Sequence, residues 1–310
     1  MHPFTDKASL SVAALGEGRL IAEIRKWLGK ASPAAPFGIG DDCAVVPAGR
    51  SAQLITVDPV IYGEHFDDKV TATAAGAKLF KRNLSDIAAM GGIPRAAVVA
   101  LAIDSRTRIT WLRGFYQGLA KISAQYGVPV VGGDVAHHKG GIVATLTLVG
   151  ETSPTRFLTR EGARPGDFIF VTGQLGGSLA SGHHHKFNPR LAQGVWLAAR
   201  PEVRSMMDLS DGIAKDLLAL CPKNAVPALI EEEIPRRKGC DTRAALCDGE
   251  DYELLFSVDH NADLGLLASD WAKAFPGLPL SLIGFFSKKG HFPEGALSLE
   301  AFRGYEHLRS

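Results

Sequence analysis

Apolar residues first recur at helical spacing over 18–28, where Leu20, Ile21, Ile24, Trp27 and Leu28 share one face and Gly29 follows as a stop. The Pro-rich ASPAAPF then gives way to GIGDDCAVV, which reads as a glycine loop entering a short strand, and QLITVDPVI predicts a second strand. Residues 71–90 are alanine-rich, contain one interior glycine, Gly76, and end at the helix-terminating run Gly91-Gly92-Ile93-Pro94. A long helix is expected there. AAVVALAI predicts a buried strand, 111–126 a second helix, VPVVGGD a strand entering a glycine turn, and IVATLTLVGE a further strand.

Turn formers and charge dominate TSPTRFLTREGARPGD, so we place a domain boundary there, between 1–151 and 152–310. Beyond it FIFVTG predicts a strand, GHHHKFNPR a solvated loop, DLSDGIAKDLLAL a helix, DGEDYELLFSV a strand and NADLGLLASDWAKAF a helix. Strands interleaved with helices in both halves give an α/β (α+β) class in two domains, which suits a length of 310 residues.

Composition narrows the partners. The chain has 46% hydrophobic and 22% charged residues and a formal charge of +1, from 34 basic against 33 acidic groups. That is an ordinary globular balance with no field for gripping nucleic acid or an anionic membrane. Cys43, Cys221, Cys240 and Cys247 form no CxxC pair, which excludes a zinc knuckle and fits a reducing cytoplasm. No export signal or membrane span is read.

The candidate chemistry is acidic. Asp41-Asp42, Asp58, Asp86, Asp134, and Asp208 with Asp211 stand at predicted strand ends or helix starts. Any one of them alone reads as a turn or cap residue. Together they suggest a metal site, above all through Asp86, whose charge would be costly in a largely apolar helix without a cation. Scattered carboxylates without Cys or His partners suit Mg²⁺ and nucleotide phosphates. The glycines Gly38, Gly40, Gly132 and Gly133 would let backbone N–H groups approach phosphate. There is no GxxxxGK[ST] loop, no HRD set and no GxGxxG after the first strand, so the nucleotide would be held another way.

GIGDDCAVV, VDPVIYGEHF, KRNLSDIAAMGG, VPVVGGD, LTREGARPGD, MDLSDGIAKDL, GEDYELLF and the terminal GYEH occur in the order of the thiamine-monophosphate kinases, and the chain resembles them over residues 16–307. These enzymes belong to the aminoimidazole ribonucleotide synthetase and selenophosphate synthetase superfamily. The resemblance implies a homodimer whose N-terminal sheets form a barrel-like layer, with Mg²⁺ and ATP bound beside each C-terminal domain. It implies Asp42, Asp58, Asp86, Asp134 and Asp208 as Mg²⁺ ligands, with Asp211 at another ion. Gly133, Asp134, Arg160 and Ser210 would contact ATP, and His65, Glu250 and Tyr305 the acceptor, thiamine monophosphate. No residue is assigned as a base. Alternatives are another ATP-dependent synthetase of the superfamily and a non-catalytic nucleotide-binding regulator. The chain departs from the family pattern at Pro59 and Asp248, where Thr and Gly are usual, at GGDVAHH, where GGDT leads to Thr and Arg, and in the short segment around GHHHKFNPR.

Overall fold

A computed structural model describes residues 2–15, 17–33, 51–153 and 156–305. Asp41, Asp42, Cys43 and the first glycine loop lie outside these residues. Contacts divide the chain into two units: 1–84 with 93–151, and 85–92 with 152–310.

The first unit begins with helix α1 (Glu17–Leu28), which buries Leu20, Ile24 and Leu28 while Trp27 packs on Tyr116. Strand β1 (Gln53–Ile61), helix α2 (Ala72–Ala89), β2 (Gly92–Ile103), α3 (Ile109–Tyr126), β3 (Val130–His137) and β4 (Ile142–Thr152) follow. The sheet order among the described residues is β1-β4-β2-β3, with β1 antiparallel to β4 and β2 parallel to β3 through the α3 crossover. Helices α2 and α3 cross at glycines. A Cβ on Gly76 would stand 2.0 Å from the Phe115 carbonyl oxygen, and one on Gly118 would stand 2.0 Å from that of Thr73. The interior glycine of α2, a weakness by propensity alone, is thus a packing requirement. On β1 every second side chain is left outside the core: Ile55 is 69% and Val57 58% exposed.

VPVVGGD departs from expectation. The strand does not stop at the glycines but continues through Asp134 to His137, paired with β2. It can do so because Gly133 has no Cβ, which would otherwise sit 2.1 Å from the Val99 oxygen.

The second unit holds β5 (Phe168–Thr172), the short turn α4 (His183–Lys186), α5 (Leu191–Ala198), β6 (Val203–Asp208), α6 (Ile213–Leu220), β7 (Ala225–Leu229), α7 (Thr242–Cys247), β8 (Leu254–Val258), α8 (Leu264–Ala274) and β9 (Leu280–Lys288). Its five strands form an antiparallel sheet in the order β6-β8-β5-β9-β7. Both faces are covered, so β8 is buried at every position. Ile169, Val171 and Leu255 join Leu217 of α6 and Leu246 of α7 in one core, while Phe170 and Phe256 stack in the other with Trp271 of α8 and Leu197 of α5. Ala88 and Ala89, at the end of α2, belong to this second core.

The expected helix at DLSDGIAKDLLAL starts later than the sequence suggests, because Asp208 closes β6 and residues 209–212 form a loop before α6. GHHHKFNPR is corrected more deeply. It is no solvated loop: His184 is 7% exposed and Phe187 2%. Among the described residues neither sheet closes into a barrel.

Candidate functional site

The second unit gathers half of the candidate residues around the ends of β6 and β8. Asp208 is buried at the last position of β6 and accepts a hydrogen bond from Ser85 Oγ at 2.6 Å. Ser85 immediately precedes the half-buried Asp86, so the last turn of α2 lies against this strand end. In the following loop the backbone N–H groups of Ser210 and Asp211 donate to Asp216 Oδ2 at 3.0 and 2.9 Å. Asp211 itself pairs with Lys215 at 2.7 Å.

The segment after α7 docks on that loop. Glu250 N–H donates to the Ser210 carbonyl and Tyr252 N–H to that of Leu209, each at 2.8 Å. The approach is too close for side chains at two positions. A Cβ on Gly249 would be 2.7 Å from the Ser210 oxygen and one on Gly212 2.8 Å from that of Leu246, and both glycines have left-handed φ, +68° and +92°. Tyr305 is tied to the same loop, its N–H donating to the Asp211 carbonyl at 2.9 Å and its own carbonyl accepting from Lys215 Nζ at 3.0 Å. Asp86, Asp208, Ser210, Asp211, Glu250 and Tyr305 are therefore brought into one neighbourhood. Arg160, also in this unit, is exposed.

Buried charge underlies the Glu250 segment. Glu253, 2% exposed, accepts from Arg190 Nε and Thr172 Oγ1, each at 2.7 Å. Asp251, 1% exposed, pairs with Arg237 at 2.8 Å and accepts the Gly176 N–H at 3.1 Å. Burial outweighs these partners and raises both carboxyls, Asp251 to about 6. Asp216 is pushed up to about 7, first by burial and further by the charges of Asp208 and Asp211, against the two N–H donors.

In the first unit the candidates are spread across the sheet. Asp58 lies on the outer strand β1 and Asp134 on the opposite outer strand β3, with β4 and β2 between them. Asp58 pairs with Arg82 at 3.4 Å, and Arg82 also donates to the Pro59 carbonyl at 2.7 Å. Pro59 is tolerated because β1 is an edge strand among the described residues. Gly133 and Asp134 line a small cavity of about 70 Å³ with Ile24 and Tyr116. His65 closes the turn after β1, its Nδ1 3.3 Å from the Ile61 N–H and its carbonyl accepting from the buried Lys78 at 2.8 Å.

The donor set suits Mg²⁺. Asp208, Asp211 and Asp216 bring three carboxyls to one loop and helix start, where burial first, and then the neighbouring charges, raise Asp216, and their ligating atoms are all hard oxygens. Sequence reading missed Asp216, Ser85, Arg190 and Arg237. Asp216 lies inside α6 and reaches back to the loop N–H groups of Ser210 and Asp211, and the other three act through contacts distant in sequence, so none leaves a local pattern.

Comparison with known proteins first fixes the class. The family described as AIR synthase related protein, N-terminal domain, matches residues 40–152. The hydrogenase maturation protein HypE, in complex with ATP, shares the fold at TM-score 0.71 and 17% identity. Residues 40–152 are thus an AIR synthase-related domain within an α/β chain of two units. Within that class the chain belongs to the thiamine-monophosphate kinase family. It is 34% identical over 277 residues to the enzyme of Synechococcus elongatus, covering 79% of this chain and 80% of the relative. It is 33% identical over 307 residues to that of Escherichia coli K12, covering 87% and 90%. Among solved structures it is similar to thiamine-monophosphate kinase from Stenotrophomonas maltophilia K279a, with TM-score 0.72, 27% identity and 88% and 95% of the two chains covered. It is also similar to AaThiL complexed with AMPPCP and TMP, with TM-score 0.65, 28% identity and 96% and 98% covered.

Proposed function

We propose that this chain is a cytoplasmic Mg²⁺-dependent kinase that transfers the γ-phosphoryl group of ATP to the phosphate of thiamine monophosphate, giving thiamine diphosphate and ADP. The observation that carries the reading is the family membership over most of the chain. The second unit supports it by bringing Asp208, Ser210, Asp211, Glu250 and Tyr305 together where two docked loops meet the C-terminal segment. Among the described residues no helix is long and apolar enough to cross a membrane.

Mg²⁺ held by Asp42, Asp58, Asp86, Asp134 and Asp208, with Asp211 at a further ion, would neutralise the phosphate charge that builds during transfer. Among the described strands Asp58 and Asp134 stand on opposite edges of one sheet, so this set would be divided among more than one ion. Gly133 and Ser210 orient ATP, and Arg160 offsets the repulsion between donor and acceptor phosphates. His65, Glu250 and Tyr305 hold the acceptor. Its phosphate is already an anion at neutral pH, so in-line attack needs alignment rather than a protein base.

The exposed Ile55 and Val57 on β1 support a homodimer formed through the first unit. Product analysis after incubation with ATP, Mg²⁺ and thiamine monophosphate tests the activity. Thiamine diphosphate and ADP are expected. ADP without thiamine diphosphate would indicate a superfamily synthetase, and ATP binding without turnover a regulator.

A further inference from the structure

The His183–Lys186 turn lies where the chain departs from the family pattern, and this turn with the following Phe187 packs on one strap, residues 250–252. His183 Nε2 is 2.9 Å from the Asp251 carbonyl oxygen, Phe187 stacks on Tyr252 with ring centroids 4.0 Å apart, and His184 Nδ1 is 3.6 Å from Glu250 Oε2. The strap has an unusual backbone. Glu250 and Tyr252 have φ of 53° and 51°, the non-glycine residues with positive φ among those described. L-residues are uncommon there and persist where the surroundings hold them, often at binding sites.

The ring nitrogens form an ordered chain. His185 Nδ1 and His184 Nε2 are 3.0 Å apart. One must donate and the other accept. With His184 Nε2 as acceptor of the His185 proton, the remaining proton of a neutral His184 sits on Nδ1, facing Glu250. The opposite carboxylate oxygen, Oε1, accepts from the Tyr252 hydroxyl at 3.3 Å. Tyr252 thereby orients one oxygen of Glu250 and His184 faces the other, and this histidine is almost fully enclosed.

We propose that His184 is a positioning residue for acceptor recognition: it fixes the Glu250 carboxylate and makes the three-histidine turn a specificity element for an acceptor presenting a cationic or N–H donor group. This rests on the reading of Glu250 as an acceptor-binding residue.

The test combines kinetics with a spectroscopic readout. In folded His184→Ala protein, KM for thiamine monophosphate should rise about tenfold while kcat and KM for ATP stay within about twofold, the expected loss of one close contact to a partly buried carboxylate. His184→Asn, which keeps an N–H donor near the position of Nδ1, should restore most of the affinity. The double variant His184→Ala, Glu250→Gln should be no worse than Glu250→Gln alone. An unchanged acceptor KM, a failure of Asn to rescue, or full additivity would overturn the inference. The ¹⁵N NMR signals of the His184 ring, which need no turnover, should move in Glu250→Gln; if they do not, the contact is absent and the inference falls. A wild-type chain that makes no thiamine diphosphate refutes the proposed activity instead, with the NMR result still deciding the contact.

Discussion

Asp208 combines two demands at one residue, a buried carboxylate with a 2.6 Å hydrogen bond from Ser85 and a position at the mouth of the acidic loop. Asparagine keeps the shape and an acceptor oxygen but removes the charge. Asp208→Asn or Asp86→Asn should therefore lower kcat by about a hundredfold or more at saturating Mg²⁺ while Tm shifts little. Near-normal turnover in both folded proteins would remove these residues from the metal set. Asp251 makes a prediction about pH. Burial raises its folded pKa to about 6 against an ordinary 3.8, so the folded state binds more protons across that interval. Its contribution to stability is fully present below about 3.8 and is lost as pH rises through about 6, by roughly 1.4 kcal/mol for each pH unit crossed between the two values. Thermal melts from pH 4 to 7 should accordingly show a stabilisation that weakens as pH rises, and Asp251→Asn should make that decline shallower, leaving the share of the likewise raised Asp216 and Glu253; parallel curves for the two proteins would contradict it. Val135 and His137 on β3 stand where the resemblance implies a hydroxyl and a guanidinium. Restoring both, Val135→Thr with His137→Arg, should raise kcat/KM for thiamine monophosphate by about tenfold or more, as two added contacts to a phosphate imply. A slower double variant would mean that the native loop is already complete.

The elements that matter most are two loops in backbone contact, 209–212 and 248–252, joined without room for a methyl group. Gly249→Ala should lower stability by about 1–3 kcal/mol and reduce turnover with it, because both the left-handed φ and the 2.7 Å approach to the Ser210 oxygen must yield. Urea unfolding measures the loss, and an unchanged midpoint would show that the loops can separate without cost. The sequence made the existence of these elements readable but not their pairing. Apolar runs and glycine stops announced α1, α2, α3, β1, β2 and β4, and the acidic loops were visible as DLSDG and GEDYE. The order β6-β8-β5-β9-β7 was not, since strands buried on both faces carry no register signal in their pattern. The histidine turn was misread for a related reason: imidazoles look solvated in a composition, and their burial depends on a strap more than sixty residues away.

At the scale of the whole chain, the boundary read near residue 151 rests on turn formers, while the contacts also assign 85–92 to the second unit. Nothing in a continuous helical pattern says what its last turn will pack against, so Ser85 and Ala88 gave no hint of their company. Assembly is the property to test here. The exposed side chains of Ile55 and Val57 are costly to leave in water, at about 25 cal/mol per Å² of apolar surface. Ile55→Lys with Val57→Lys should convert a dimer to monomers in sedimentation velocity, with folding retained by circular dichroism. A wild-type chain that sediments as a monomer at micromolar concentration would refute the homodimer.

Among the described residues β1 is an edge strand, and its outer side sets a limit on such assembly. Pro59 has no N–H to offer, and the outward N–H of Ile61 is already faced by His65. A foreign strand laid along this edge would find no donor over its last third and could not extend the ladder. Growth of the sheet by endless strand addition, the route to fibrous aggregates, is blocked at the turn that also holds His65 in place. Substitutions there, such as Pro59→Thr or His65→Ala, would reopen the edge, so the solubility of such variants must be followed alongside their kinetics.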